Sequence, residues 1–161
     1  MLNISFLTIR EGTVYFIHHS AKDFLSAHRL LFPKGRAEVH CEIVSRSLQA
    51  MDETLDRDIY GQQHPGVLIN EGDPVNRDPL DQIRYSCAYW IDHVSEIDKS
   101  LHYRIGLHDN GEIDTFLKNH FLHWLEALSL MRDISSGVAL IKKLEKLLGG
   151  CIDSSRLLKL V

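Results

Sequence analysis

Cysteine is scarce in this sequence. The 161 residues contain three cysteines, which lie far apart and form no CxxC pair: Cys41, Cys87 and Cys151. An odd and scattered set excludes a disulfide framework and a cysteine zinc knuckle. Because no secretory leader is recognisable either, we expect the protein to work in the reducing cytoplasm.

Positive charge is not in excess. Eighteen Lys and Arg residues stand against 22 Asp and Glu residues, which gives a net charge of −4. A chain of this balance has no surplus of basic groups to neutralise phosphates. The composition therefore argues against a general nucleic-acid binder and against a protein that binds anionic membranes.

The motifs of nucleotide binding and hydrolysis are also missing. No stretch fits the phosphate-loop pattern GxxxxGK[ST], the dinucleotide pattern GxGxxG, the GxSxG elbow or the HExxH zinc motif. Each motif places a specific nucleophile, ligand or backbone cradle, so its absence removes that chemistry from the chain. We therefore expect no catalytic residue, no metal ligand and no cofactor held by this chain alone.

Between residues 14 and 25 the sequence changes from a strand-like pattern to a helix-like pattern. Residues 14–17 are β-branched or aromatic, which favours a strand. The next residues predict a helix start, with Ser20 as the N-cap and Asp23 as its capping-box partner. A preceding strand is predicted at 4–9, with Gly12 in the turn. The chain thus begins with a hairpin that runs into a helix.

A two-stranded hairpin is only marginally stable in water. We expect this hairpin to pack on the helices that follow it or on a partner that this chain lacks. The sequence opens in mid-strand, and apolar residues continue through a last predicted helical piece at 153–161. Both features predict a fragment of a longer protein.

Further helices are predicted from apolar residues that recur at spacings of three and four. The third helix is predicted to open at Pro79 with Asp78 as its cap, and the fourth with Asp109 or Asn110 as its cap. Trp90 and Trp124 share the apolar faces and are predicted core residues. The predicted buried face of the last helix consists of Val138, Ile141, Leu144 and Leu148. The predicted ranges are 20–31, 36–56, 79–94, 111–131 and 136–148. Between them, 59–79 is predicted to be an irregular strap and 96–110 a polar connection.

Several polar side chains were candidates for a site. His120 and His123 form an HxxH pair, but no third metal ligand is indicated, so structural histidines are the better interpretation. Asp23, Asp92 and Glu126, together with histidines, could supply acid–base chemistry in a small hydrolase. Their spacing in the sequence gives that alternative no support.

His18 is the best candidate for a binding residue. It lies beside a helix N-terminus, where free N–H groups and the helix dipole favour an anion. An imidazole at this place can donate a hydrogen bond to a phosphate. The alternative is a structural histidine that caps the helix or packs at the strand end. For His19 the sequence indicates no role.

Three stretches together resemble the fungal branch of the NACHT-type STAND NTPases, which includes the heterokaryon-incompatibility proteins. Residues 16–25 (FIHHSAKDFL) resemble the end of the winged-helix domain of that family. Residues 85–94 (YSCAYWIDHV) and 123–131 (HWLEALSLM) resemble the helical segments that follow it. The ordered matches cover nearly the whole chain.

The resemblance implies a large signalling protein with an effector domain, a NACHT nucleotide switch, a winged helix, a helical arm and WD40, ankyrin or TPR sensor repeats. It implies that His18 contacts the β-phosphate of ADP, which only a full-length protein would bind. Residues 1–31 would be the C-terminal part of the winged-helix domain, and residues 36–161 the helical arm with its strap at 59–79. The NACHT domain and the sensor repeats, or a second copy on oligomerisation, would be the partners.

The sequence therefore predicts a mainly α-helical protein, in which a short N-terminal β-hairpin precedes a stack or bundle of amphipathic helices. Its predicted function is a non-catalytic relay between a nucleotide switch and a sensor. Two alternatives remain at this point. One is a stand-alone hydrolase that uses His and Asp residues, and the other is a winged-helix nucleic-acid binder.

Overall fold

The computed structural model describes residues 7–10, 13–27, 33, 35–61 and 78–149. By its backbone contacts the chain divides into two compact units, Met1–Val39 and His40–Val161. In the described residues the elements are, in order, β1 (Leu7–Arg10), β2 (Thr13–Phe16), α1 (His19–Ala27), α2 (Arg36–Thr54), α3 (Arg84–Ser95), a 3₁₀ turn (Lys99–Leu101), α4 (Glu112–Leu130) and α5 (Ile134–Leu148).

The predicted fold class is confirmed, since the chain is mainly helical with a short N-terminal antiparallel hairpin. Some predicted elements extend past the described residues. These are the first half of the strand at 4–9, the end of the helix at 20–31, most of the strap at 59–79 and the helical piece at 153–161. The division into domains at 1–31 and 36–161 stays a prediction.

In the first unit, β1 and β2 pair in a fixed antiparallel register. Leu7 lies opposite Phe16, and Ile9 lies opposite Val14. Because side chains alternate across a strand, these four residues share one face of the hairpin. The pair Thr8 and Tyr15 lies on the opposite face. One face is therefore wholly apolar.

In the second unit, which we call the helical unit, the helices enclose one hydrophobic core. Trp90 of α3 and Trp124 of α4 are both fully buried and meet edge to face, with ring centroids 5.9 Å apart. The Trp124 indole N–H donates a hydrogen bond to the carbonyl oxygen of Cys87 over 3.0 Å. A buried indole needs such a partner. The prediction that both tryptophans belong to the core is confirmed.

Helix α2 adds a one-sided apolar face to this core. Val44, Leu48 and Met51 are almost completely buried, at the spacing that the sequence predicted. The backbones of α3, α4 and α5 approach one another closely, whereas α2 approaches none of them as closely among the described residues. The large core side chains therefore carry most of the packing of α2.

The predicted start of the third helix is wrong. α3 begins at Arg84, and residues 79–83 form tight turns instead. Asp78 still acts as a cap, because its carboxylate accepts the backbone N–H of Leu80 over 2.9 Å. The same carboxylate accepts the hydroxyl of Tyr60 and binds the guanidinium of Arg84. These contacts favour a turn around Asp78 over a helical first residue.

The stretch 96–110 is not simply a polar connection. Ile97, Ile105 and Leu107 are buried and join the core. Helix α4 then begins after Gly111, so the prediction that Asp109 or Asn110 caps it is wrong. The carboxylate of buried Asp114 instead reaches back to the backbone N–H of Asn110 over 2.6 Å.

The predicted buried face of the last helix is out of phase by one residue at its start. Val138 is 52% exposed, whereas Leu140 is buried. Gly137 turns toward the core, where a Cβ atom would lie 2.9 Å from the Leu128 methyl carbon Cδ1. The missing side chain of Gly137 lets α5 approach α4, and the sequence pattern could not indicate this.

Candidate functional site

The joint between β2 and α1 is the candidate site, and His18 lies at its centre. The carbonyl oxygen of His18 accepts the backbone N–H of Ala21 over 3.0 Å, which starts the helix. The Nδ1 atom of its ring accepts the backbone N–H of Ser20 over 3.2 Å and lies 2.7 Å from the Ser20 hydroxyl. His18 is therefore a capping residue of α1.

These contacts assign the tautomer of the His18 ring. Two donors of Ser20, the backbone N–H and the hydroxyl, meet at Nδ1, so this nitrogen is the acceptor. The proton of the neutral imidazole then lies on Nε2. Since His18 is exposed, the Nε2–H group is a donor that an external acceptor can reach.

The predicted capping box of Ser20 and Asp23 is wrong, because each of its two places is taken by a different contact. The imidazole of His18 takes the capping place that the sequence assigned to Ser20. Asp23 pairs instead with His19, whose Nδ1 lies 3.1 Å from the carboxylate one turn away. Both side chains of that pair are largely exposed, so the pair adds little stability.

The apolar face of the hairpin is the second feature of this unit. Its four side chains are exposed to solvent by 46% for Leu7, 71% for Ile9, 58% for Val14 and 44% for Phe16. Exposed apolar side chains scattered singly are ordinary, but a contiguous apolar face marks an interaction surface. Both strands are also edges in the described sheet.

The carboxylates proposed for acid–base chemistry have separate partners. Asp92 binds Lys143 of α5, and Glu126 accepts the backbone N–H of Asp58 over 3.4 Å. Asp23 pairs with His19. None of these contacts joins two of the three carboxylates.

Both HxxH histidines belong to α4, and His120 contacts α2. The Nε2 atom of His120 is 2.9 Å from the carboxylate of Asp52, and its ring stacks on Phe116. The rings of His120 and His123 lie 5.6 Å apart, centroid to centroid. Within the described residues, no three His, Cys, Asp or Glu side chains converge so that they could hold a metal ion.

A polar cluster that the sequence did not indicate joins α2 to α3. The Nδ1 atoms of His40 and His93 lie 2.8 Å apart, and the hydroxyl of Tyr85 lies 2.7 Å from Nε2 of His93. Tyr85 also contacts the ring of Tyr89. Burial raises the pKa of Tyr85, and burial and then the neighbouring His40 lower the pKa of His93. Fifty-three positions separate His40 from His93, so helical periodicity gives no signal for their contact.

The described part of the chain contains no helix whose length and apolar character would suffice to cross a lipid bilayer.

The chain is similar to a stretch of the vegetative incompatibility protein HET-E-1 of Podospora anserina, with 44% identity over 167 aligned positions. No protein-family profile matches the chain, and no solved structure matches it. The aligned stretch covers 92% of this chain and 12% of the Podospora protein, so the chain spans a small part of the length of this relative. The predicted relation to fungal incompatibility proteins is confirmed at this level.

Proposed function

We propose that this chain is a non-catalytic helical relay segment of a larger NACHT-type signalling protein, in which it couples a nucleotide switch to a sensor region. The hairpin and α1 are the end of a winged-helix domain, and the helical unit is the arm that follows. The similarity to a vegetative incompatibility protein over 92% of the chain supports this placement.

The exposed apolar face of the hairpin carries the proposal. Leu7, Ile9, Val14 and Phe16 are each at least 44% exposed, on a sheet of two strands. A sheet this small needs a further strand or a packed layer to be stable. In the larger protein the NACHT side supplies that layer, so a change of nucleotide state is transmitted through the hairpin into α1.

His18 is the proposed link to the nucleotide. Its Nδ1 is occupied by Ser20, so Nε2–H is the donor that meets the β-phosphate of ADP. A hydrogen bond to a charged group contributes about 1.5–3 kcal/mol. Loss of this contact is therefore expected to weaken ADP binding by about tenfold to a hundredfold.

A chimera tests the role of His18. This chain replaces the matching stretch of the Podospora protein, and the ADP affinity of the chimera is measured with His18 present and with His18→Ala. His19→Ala is the matched control, because His19 is an adjacent exposed histidine whose ring pairs with Asp23. We expect a weaker affinity in the first variant only.

Equal ADP affinity of the chimera and its His18→Ala variant would contradict the phosphate contact. Because the His18 ring also caps α1, a loss of affinity that comes with a lower helical signal would be assigned to the helix start rather than to the phosphate contact. Helix content from circular dichroism separates these outcomes, because a damaged start of α1 lowers the helical signal.

A further inference from the structure

We propose that His40 and His93 form an acid-sensitive latch between the start of α2 and the last turn of α3. The latch is closed when at most one proton is added to the two neutral rings, and it opens when both rings are protonated. This device goes beyond the proposed function, because it involves neither the hairpin nor His18.

The distance between the two rings determines how many protons lie between their Nδ1 atoms. An Nδ1–Nδ1 separation of 2.8 Å is that of a hydrogen bond, so one Nδ1 carries a proton and the other accepts it. With neutral rings, His93 can donate to His40 or accept from it. The Tyr85 hydroxyl at Nε2 of His93 suits both cases, because a hydroxyl both donates and accepts.

The first added proton keeps the latch closed. When one ring is protonated, its Nδ1–H donates to Nδ1 of the neutral ring, and a charge-assisted hydrogen bond of this kind is stronger than a neutral one. The second proton reverses the effect, because two N–H groups then face each other at 2.8 Å and two positive rings repel. Either the two rings move apart, or one of them stays neutral.

The surroundings of His93 favour its neutral form at neutral pH. Burial is the largest cause that lowers the pKa of His93, His40 is the next, and Asp92 and Glu96 oppose them. Lys143 binds the carboxylate of Asp92 and so weakens its support for a charged ring. The titratable groups that contact or perturb His93 are His40 from α2 and Tyr85, Asp92 and Glu96 from α3 and its end. Lys143 from α5 acts on the ring only through Asp92.

The sign of the pH effect follows from the lowered pKa. A histidine that prefers its neutral form in the folded protein contributes fully to stability above the ordinary histidine pKa of about 6.5. That contribution is lost as the pH falls below this value. Since the backbone of α2 makes fewer close approaches to the other described helices than α3, α4 and α5 make to one another, the loss is expected to appear first at the start of α2.

Amide hydrogen exchange on the full chain tests the latch at pH 7 and pH 5, with rates corrected for the intrinsic effect of pH. We expect the protection of the amides at 40–44 to fall about fivefold, the factor that corresponds to one hydrogen bond of about 1 kcal/mol. In His40→Gln the fall is expected to disappear, because a glutamine amide can donate to neutral His93 or accept from protonated His93. His93→Gln provides the reciprocal variant.

His108→Gln is the matched control, because it removes another half-buried histidine, one that stacks on Tyr103, and leaves the latch intact. An NMR titration gives a second readout, in which the titration midpoint of His93 rises when His40 is replaced. Equal protection at both pH values in the wild-type chain, or a fall in His40→Gln as large as in the wild type, would overturn the latch. An unchanged His93 midpoint would overturn it as well.

Discussion

Gly111 and Gly106 bring two backbone segments into direct contact at the start of α4, and a single methyl group tests that contact. Gly111 is the N-cap of α4 with φ −78° and ψ −177°, an extended conformation that alanine adopts without strain. The Cβ atom of an alanine would lie 2.7 Å from the carbonyl carbon of Gly106 and closer still to its oxygen. The obstacle is backbone, so no side chain can turn away to relieve it.

Two effects set the cost of Gly111→Ala. Inserting a methyl group into a tightly packed place costs about 1–3 kcal/mol. Alanine is also a poorer N-cap than glycine, by about 0.5–1 kcal/mol. Together they predict a loss of about 3 kcal/mol in the free energy of unfolding. For a chain of this size the midpoint of thermal unfolding should then fall by roughly 6–12 °C.

Gly149→Ala is the matched control for this prediction. Gly149 has φ −61° and ψ −16° at the end of α5, and an added Cβ would approach the Glu145 carbonyl oxygen at 3.4 Å. Alanine should therefore be neutral there or stabilise by up to about 1 kcal/mol. Circular dichroism at 222 nm during heating and urea unfolding reports both variants. If Gly111→Ala melts within about 2 °C of the wild type, the close backbone contact is refuted.

Two further predictions concern one buried and one half-buried polar contact of the helical unit. Trp124→Phe removes the indole N–H bonded to the Cys87 carbonyl and leaves a cavity in the core, so urea unfolding should show a loss of about 2–4 kcal/mol; a loss below 1 kcal/mol would contradict that packing. Burial, followed by the hydrogen bond to Asp78, raises the pKa of Tyr60 to about 12. A raised pKa favours the neutral phenol in the folded chain, so its contribution is complete below pH 10 and is lost as the pH rises to 12. The urea midpoint should fall more between pH 9 and pH 11 in the wild type than in Tyr60→Phe, and equal falls would exclude this role of Tyr60.

Helices whose apolar residues recur regularly were predictable from the sequence. α2 and α4 each place large apolar residues at spacings of three and four, and the predicted ranges 36–56 and 111–131 agree with the structure to within two residues at each end. The burial of Trp90 and Trp124 followed from the same spacing. The hairpin was predictable because β-branched and aromatic residues follow a glycine that the sequence pattern marks as a turn residue.

Local chemistry was harder to predict, because several side chains compete for the same backbone group. Ser20 and His18 can both cap α1, and the imidazole takes the backbone N–H of Ser20 itself. At the start of α3, the carboxylate of Asp78 binds Tyr60 and Arg84 as well as the Leu80 N–H. A pattern of single residues cannot rank such competing partners.

Contacts between distant parts of the chain could not be predicted from the sequence. The pair of His40 and His93 depends on how α2 and α3 pack, and neither residue belongs to a motif. The phase of α5 depends on the space beside Gly137, which Leu128 of another helix sets. The phosphate contact of His18 stays a prediction, and its proposed donor atom, Nε2–H, could be assigned only from the contacts of Ser20.

The central claim is that the apolar face of the hairpin packs on the rest of a larger protein. The most direct test compares amide hydrogen exchange of Leu7–Arg10 and Thr13–Phe16 in the isolated chain and in the chimera that carries this chain within the Podospora protein. A covered hairpin should exchange about tenfold more slowly, or slower still, in the chimera. The same exchange rate in both proteins would contradict the claim.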